Sequence, residues 1–512
     1  MTERFITRRD FLVTAAMAAG ATHLHAQSKS VIQVRLTIPS KAEGPQMPAD
    51  FVGLSYEVQQ LVDPSFFSSK NTGLINAFRE ITAHGVLRLG GNTSEFGYWK
   101  PTPDSPEPAH PTIREVVGEP KAHYYPVTAE AVRNLAEFLK ATGWTCLYGI
   151  GMGTNTPERA AEEAAFVADA LGGSLQYFQI GNEADLFDRH LRDPKTWSAK
   201  TYLQEWLAMA RAITARVPSA KFGMPDVASR VEWLIDIAAL WPSIENPPHV
   251  TTLTHHYYFG GPATNPEVNI LNLLMPATMA KVQKTADTAT AAANKVGARV
   301  RMTEGNTCYR GGKPGVSDVL AAALWAADYS LLLASNNYSG VNLHGGTGKS
   351  VANSVGGSLP GDTLLEEQGA TPAEIATHPH PFYTPIATFG TEYKLEPVAR
   401  GLQFAGSLSG GRLFKTDFAA KFQAASVNGT GYAAELPGGK WCVVLLNKDL
   451  AKDVEIALNF DRGGVADLQA LRAPAVDSRD AEIVQLSGSA LKKDKPFRIV
   501  VPHASGMRLT IA

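Results

Sequence analysis

The chain has 512 residues, 44% of them hydrophobic and 19% charged, a balance that fits a soluble globular protein with one barrel-sized domain and something smaller. A formal net charge of -2, with no long basic or acidic run, speaks against nucleic acid or an anionic membrane as the main partner. Cys146, Cys308 and Cys442 lack metal-ligand spacing and are odd in number, so each reads as a buried free thiol rather than part of a disulfide framework.

At the N-terminus, "TRRDFLVTAAMAAGATHLHA" pairs Arg8 and Arg9 with a short apolar, alanine-rich stretch. This resembles a twin-arginine export signal over residues 1–26, so export to the periplasm or beyond is expected. The stretch is too short for a permanent membrane anchor, which needs about 20 apolar residues. Next, "VIQVRLTIP" alternates apolar and polar residues and predicts a strand. From residue 49 a different rhythm sets in. "FVGLSYE", "VLRLGGN", "CLYGIGMGTN", "LQYFQIGNE", "KFGMPD", "VTTLTHHYY", "RVRMTEGN" and "YSGVNLHGG" are eight short apolar runs that end in polar residues. Helical patterns separate most of them. Thr128 caps a helix to residue 142, and Thr156-Pro157 opens another that stops at Gly172. The stretches 198–217, 230–241, 277–296 and 317–335 also read as helices. Eight strands alternating with helices predict a (β/α)8 TIM barrel over residues 49–390, with a doubly wound sheet as the structural alternative. Residues 347–381, rich in Gly, Pro, Ser and Thr, read as a long loop after the eighth strand. From 391 to 512, alternating strands broken by Asn-Gly and Pro-Gly-Gly turns predict a β-sandwich, which the N-terminal strand in 27–48 would join.

In such a barrel the site lies at the C-terminal ends of the strands. These ends carry Tyr56 and Glu57, Arg88 and Asn92, Asn182 and Glu183, Asp226, His255 to Tyr258, Glu304 and Asn306, and Asn342 and His344. His255 and His256 are adjacent on a strand and point to opposite faces, so they do not readily share a metal. No nucleophile elbow occurs, and the set calls for neither a metal nor a cofactor. Two glutamates on the fourth and seventh strands suit glycoside hydrolysis, which needs a protonated acid and an ionised carboxylate across the glycosidic bond. Asn182 beside Glu183 suits a sugar 2-hydroxyl. Asp226 and His344 read as structural.

"IGNEAD" with "TEGN" resembles the clan of retaining glycosidases built on this barrel. Within it, "THHYYFGG", "TEGNTCYRGG", "FVGLSYE", "LRLGGN" and "GVNLHGG" resemble glycoside hydrolase family 79, the heparanases and β-glucuronidases. The resemblance covers residues 50 to 390 and implies a retaining exo-β-glucuronidase acting on oligo- or polysaccharides that contain uronic acid. It makes Glu183 the acid/base, Glu304 the nucleophile and Asn182 the 2-hydroxyl ligand. Tyr258 and Arg88 orient Glu304, and Arg88 keeps it ionised. The uronate carboxylate falls to Tyr309 and the backbone at Gly311, with Tyr383 as a further tyrosine; Arg310 stands where a glycine is common. Glu57, Asn92 and His256 complete the substrate-binding set. The alternatives are another glycosidase of the clan, such as an arabinofuranosidase or β-xylosidase, and a carbohydrate-binding protein without turnover.

Overall fold

The computed structural model describes residues 32–114, 124–347, 380–493 and 495–512. The export signal at 1–26 and most of the loop at 347–381 lie outside the described residues. Eight parallel strands close a barrel in chain order: Val52–Glu57, Val86–Gly90, Thr145–Ile150, Leu175–Ile180, Phe222–Val227, Val250–Gly260, Arg299–Cys308 and Gly340–His344. They are the first to eighth barrel strands below. Helices cover the outer face and side chains fill the inner one, so most strand residues are buried on both sides.

Local chemistry sets the helices between them. The Thr128 and Thr156 side chains accept from the N–H groups of Ala131 and Arg159, and Pro157 follows its cap without losing a needed donor. Among the described residues, two ten-residue helices lie outside the predicted helical stretches. Thr72–Ile81, capped by Asn71, follows the first strand. Pro397–Gly406 follows the eighth and packs on Leu320–Ser335, placing Val398, Ala399, Leu402 and Phe404 in the barrel core. The barrel therefore runs past residue 390. The end of the βα rhythm there marked the long insertion, and one more barrel helix comes after it.

The rest of the chain forms two facing sheets. One has six strands, in the order Arg412–Leu413, Gly429–Glu435, Trp441–Asn447, Ser505–Ile511, Gly464–Arg472 and Glu482–Leu491. The other is Ile32–Thr37 paired parallel with Val454–Asn459, which pairs antiparallel with Phe497–Val501. Leu36, Phe418, Val443, Leu445, Ile456, Leu458 and Leu509 fill the space between them. At the seam with the barrel, buried Lys448 meets Asp328 on helix Leu320–Ser335, and Asp328 also accepts from Thr430 (2.7 Å) and Tyr432 (2.8 Å). Among the described residues no helix is long and apolar enough to cross a membrane.

Candidate active site

The fourth strand ends at Ile180. Gly181 then takes a φ of 84° and Glu183 a φ of 50°, which swings the Glu183 side chain over the barrel mouth. The Glu183 N–H donates to the carbonyl of Asp226 (2.9 Å), itself at a φ of 58° near the end of the fifth strand. Left-handed backbone at a non-glycine residue costs about 1–3 kcal/mol and persists where its surroundings enforce it. Two buried carboxylates supply that enforcement. Glu95 accepts from the N–H groups of Asn182 (2.7 Å), Met152 (2.8 Å) and Gly153 (2.5 Å). Asp185 accepts from those of Ala228 (2.8 Å), Ser229 (3.1 Å) and Arg230 (3.0 Å). No periodicity marked either residue, since each serves loops distant in sequence.

Arg88, 1% exposed in the middle of the second strand, organises the floor of the mouth. Its guanidinium donates to Glu304 (2.6 Å), Asp226 (2.5 Å), Asn182 (2.7 Å) and Ser55 (3.1 Å). Asp226 also accepts from the Thr303 hydroxyl and faces His256 Nε2 at 3.0 Å. The Tyr258 hydroxyl donates to the other Glu304 oxygen at 3.0 Å. His256 Nδ1 lies 2.9 Å from Glu183 Oε1, while His255 turns away to the Tyr338 hydroxyl at 2.9 Å. One oxygen of Glu183, one of Glu304 and one His256 nitrogen lie within 4.8 Å of one another. These are metal-ligating types, but they fit a metal poorly. Both His256 nitrogens face carboxylates, and a cation there would confront the Arg88 guanidinium.

The two glutamates are pushed in opposite directions. Burial raises the Glu183 pKa, His256 pulls it back, and the charge of Glu304 adds to the rise; the net direction is up. Burial would raise Glu304 as well, yet His344, His256 and Arg88 outweigh it and hold Glu304 down at about 2. The Arg88 guanidinium stays charged despite burial, because Asp226 and Glu304 stabilise it. Asp226 sits well below the usual carboxylate range: burial opposes this, and His256 and Arg88 more than offset burial.

The remaining predicted residues are distributed as follows. Asn92 Oδ1 accepts from the Asn182 side chain at 3.2 Å. Glu57 is buried: one oxygen accepts from the Thr93 N–H (3.0 Å) and hydroxyl (2.6 Å), and the other faces His344 Nε2 at 3.5 Å. His344 Nδ1 lies 3.0 Å from the Ser55 hydroxyl and 3.8 Å from Glu304, so Glu57 reaches the site through His344. The Tyr309 ring, 38% exposed, packs edge-on against Tyr258 at 6.2 Å. Arg310 adopts a φ of 61°, a left-handed conformation that suits glycine, and Gly311 follows at 87°. Tyr383 lies beside this turn. Its N–H donates to the Gly311 carbonyl at 3.3 Å, and its ring is 6.4 Å from that of Tyr258. Asn306 ties the eighth strand to that segment, donating to the carbonyls of His344 and Tyr383, both at 2.9 Å.

Three strand-end residues turn elsewhere. Asn342 bonds Arg301 (2.6 Å) deeper in the barrel, Tyr56 joins Phe66, Phe67 and Phe78 outside it, and Tyr257 stacks on Tyr329 at 5.0 Å. Alternation along each strand sends neighbouring side chains to opposite faces.

The chain is 26% identical over 377 residues to a β-glucuronidase of Aspergillus niger, the match spanning 67% of each. It is also 26% identical over 286 residues to a β-glucuronidase of Neurospora crassa, spanning 51% of this chain and about half (50%) of that relative. No protein-family model matches the chain. Among solved structures, a 4-O-α-L-rhamnosyl-β-D-glucuronidase from Fusarium oxysporum superposes with a TM-score of 0.69 at 14% identity, over 93% of this chain and 100% of that one. A GH51 arabinofuranosidase from Xanthomonas axonopodis pv. citri gives 0.64 at 14% identity, over 94% and 100%. At these identities the structures share the fold: a (β/α)8 barrel with a β-sandwich domain.

Proposed function

We propose that this chain is a retaining β-glycosidase acting as an exo-β-glucuronidase on glycans that bear uronic acid. The observation that carries the reading is the pair Glu183 and Glu304, with oxygens within 4.8 Å of each other and pKa values pushed apart. Retaining glycosidases hold their carboxyl groups about 5–5.5 Å apart and inverting ones about 6.5–9.5 Å, because inversion needs room for a water. Glu183, its pKa raised, protonates the leaving oxygen. Glu304, held ionised, attacks the anomeric carbon and forms a glycosyl ester. Glu183, now a carboxylate, then activates the water that cleaves the ester. Asn182, fixed by Arg88 and Asn92, presents its amide to the 2-hydroxyl. No cofactor takes part.

The uronate preference rests on the turn from Tyr309 to Gly311 beside Tyr383, and on the two β-glucuronidase relatives. Paired aryl β-glucuronide and β-glucoside substrates test it. A preference for the glucoside refutes the role of Tyr309, and turnover of aryl arabinofuranosides alone favours the other clan activities. NMR of the first-formed sugar tests retention, since an α anomer at first release contradicts double displacement. A Glu304→Gln variant that hydrolyses at the full rate overturns the mechanism. We further propose that Arg8 and Arg9 direct export by the twin-arginine route. Replacing both by Lys should leave the protein inside the cell, unprocessed on a gel.

A further inference from the structure

The six-stranded sheet lays one face on the barrel, where its Val444, Leu446 and Leu471 join the barrel core. That face runs out into a cleft of about 460 Å³ beside helices Thr72–Ile81 and Pro397–Gly406. Glu80 and Ile81 close the first of these helices, just before the second strand, so the cleft lies at the end of the barrel opposite the catalytic mouth. Arg508 and Gln469 face each other on paired strands and line the cleft together. Met507 and Leu509 point into the sandwich core, so alternation turns Arg508 toward the barrel, where its guanidinium lies 5.6 Å from the centre of the Phe404 ring. Among the described residues that guanidinium has no hydrogen-bond or ion-pair partner. Burial pushes its pKa down, and Cys442 and Asp467 oppose this only in part. A guanidinium withdrawn from water without a counter-charge is costly, and an anion that fits relieves that cost. Gln469 donates to Gln485 at 2.8 Å, and its own Oε1 is enclosed with no donor among the described residues. A buried acceptor of that kind calls for a water or a ligand. The other charges of the cleft are matched: Arg400 donates to Glu80 at 2.7 Å, and Glu482 lies 3.4 Å from Arg472.

We propose that this cleft is a second, non-catalytic carbohydrate site that takes a uronic acid residue, with the sugar carboxylate on Arg508. The choice of a uronate rests in part on the glucuronidase reading above. The rest comes from charge. One unpaired cation suits one negative charge. A phosphate dianion would bring a second charge near Glu80 and Glu482, whose carboxylates repel it. A uronate carries a single carboxylate among hydroxyls, and those hydroxyls can donate to Gln469 Oε1 and to the carboxylates of Glu80 and Glu482. The planar fork of Arg508 meets a carboxylate through two parallel N–H bonds, which a neutral hexose does not offer. Ile81 and Ile483 supply apolar wall for the C–H face of the ring. No bond is made or broken in the cleft. A glycan held there keeps its chain ends close to the enzyme and raises their effective concentration at the mouth.

The test is protection of Arg508 from phenylglyoxal in the full chain, read on its own peptide by mass spectrometry, with D-glucuronate, D-glucose and inorganic phosphate as probes. D-Glucuronate should slow the labelling of Arg508 about tenfold as the site fills. D-Glucose should not slow it, and phosphate should do so far less. Gln469→Leu removes the enclosed acceptor and should weaken the protection about fivefold. Its kcat/KM for 4-nitrophenyl β-glucuronide should stay at the parental value, because nothing in the mouth has changed. Labelling of Arg508 that D-glucuronate leaves unchanged overturns the proposal, and the parent chain alone decides this even where the variant does not fold. Equal protection by phosphate overturns it too, since that marks a bare oxyanion site, as does equal protection by D-glucose. Undiminished protection in an active Gln469→Leu protein also overturns it, because filling the mouth would then account for the effect. A chain that does not hydrolyse aryl β-glucuronides would instead overturn the reading beneath it.

Discussion

Arg88→Met keeps roughly the length of the side chain and removes the charge from the floor of the mouth. The guanidinium is 1% exposed and donates to Glu304, Asp226 and Asn182 at 2.6, 2.5 and 2.7 Å. Deleting one partner of a buried ion pair costs about 3–5 kcal/mol, because the other charge is left in a poor medium. Here His256 still faces Asp226 and His344 still faces Glu304, so the lower end, about 3 kcal/mol, is expected. Catalysis should respond through Glu304. Its folded pKa of about 2 lies below the ordinary 4.5, so the ionised group contributes stability that is fully present above pH 4.5 and lost as the pH falls through 2. Without Arg88 that pKa should rise by about 1–3 units, moving the acid limb of kcat/KM up with it and narrowing this contribution. At pH 7 Glu304 remains ionised in the variant. Any loss there reflects aim, and a displacement of about 1 Å can cost about 100-fold. Urea unfolding at pH 7 and kcat/KM for an aryl β-glucuronide from pH 3 to 8 measure the two effects. An acid limb at the parental position, with unfolding free energy changed by less than about 0.5 kcal/mol, the range of an inert surface change, would refute the reasoning.

Glu183→Gln should lose about 10²–10⁴-fold in kcat/KM on an alkyl or sugar glucuronide, and far less on 2,4-dinitrophenyl β-glucuronide, whose departure needs no acid; equal losses on both would contradict an acid role. Tyr309→Phe should raise KM for the glucuronide about tenfold, as expected for a lost hydrogen bond to a charged group, and leave that for the glucoside unchanged. Gly91→Ala should lower the melting temperature and the activity together. Gly91 has a φ of 75°, and a Cβ there would stand 2.1 Å from the Glu57 carboxylate. The backbone conformation alone costs about 1–2 kcal/mol for alanine, and calorimetry at pH 7 measures the total.

Much of this architecture was legible because it repeats locally. Each barrel strand is a short apolar run buried on both faces, and each cap is read within a few residues, as at Thr128, Thr156 and Gly172. The strand ends could then be named, and Arg88, Asn182, Glu183, Tyr258 and Glu304 do converge on one mouth. What was illegible depends on pairings across the barrel. Asp226 and His344 looked structural because a lone polar residue at a strand end carries no sign of its partner. Their roles come from His256 and Arg88 on one side, and from Glu57 and Ser55 on the other. Glu57, expected at the sugar, is enclosed by Thr93 and His344 instead.

The sequence by itself determined the barrel, the β-sandwich with its N-terminal strand, and the positions of two glutamates at strand ends, since hydrophobic period and turn chemistry act over a few residues. Only the tertiary structure decided which glutamate has its pKa pushed up and which has it pulled down. Glu183 and Glu304 are the same residue type, one three residues past the fourth strand and the other within the seventh. Their difference comes from burial beside His256 alone for one, and beside Arg88, His256 and His344 together for the other. Electrostatic interaction depends on distance through space and on the exclusion of water, and neither is written in the order of residues along the chain.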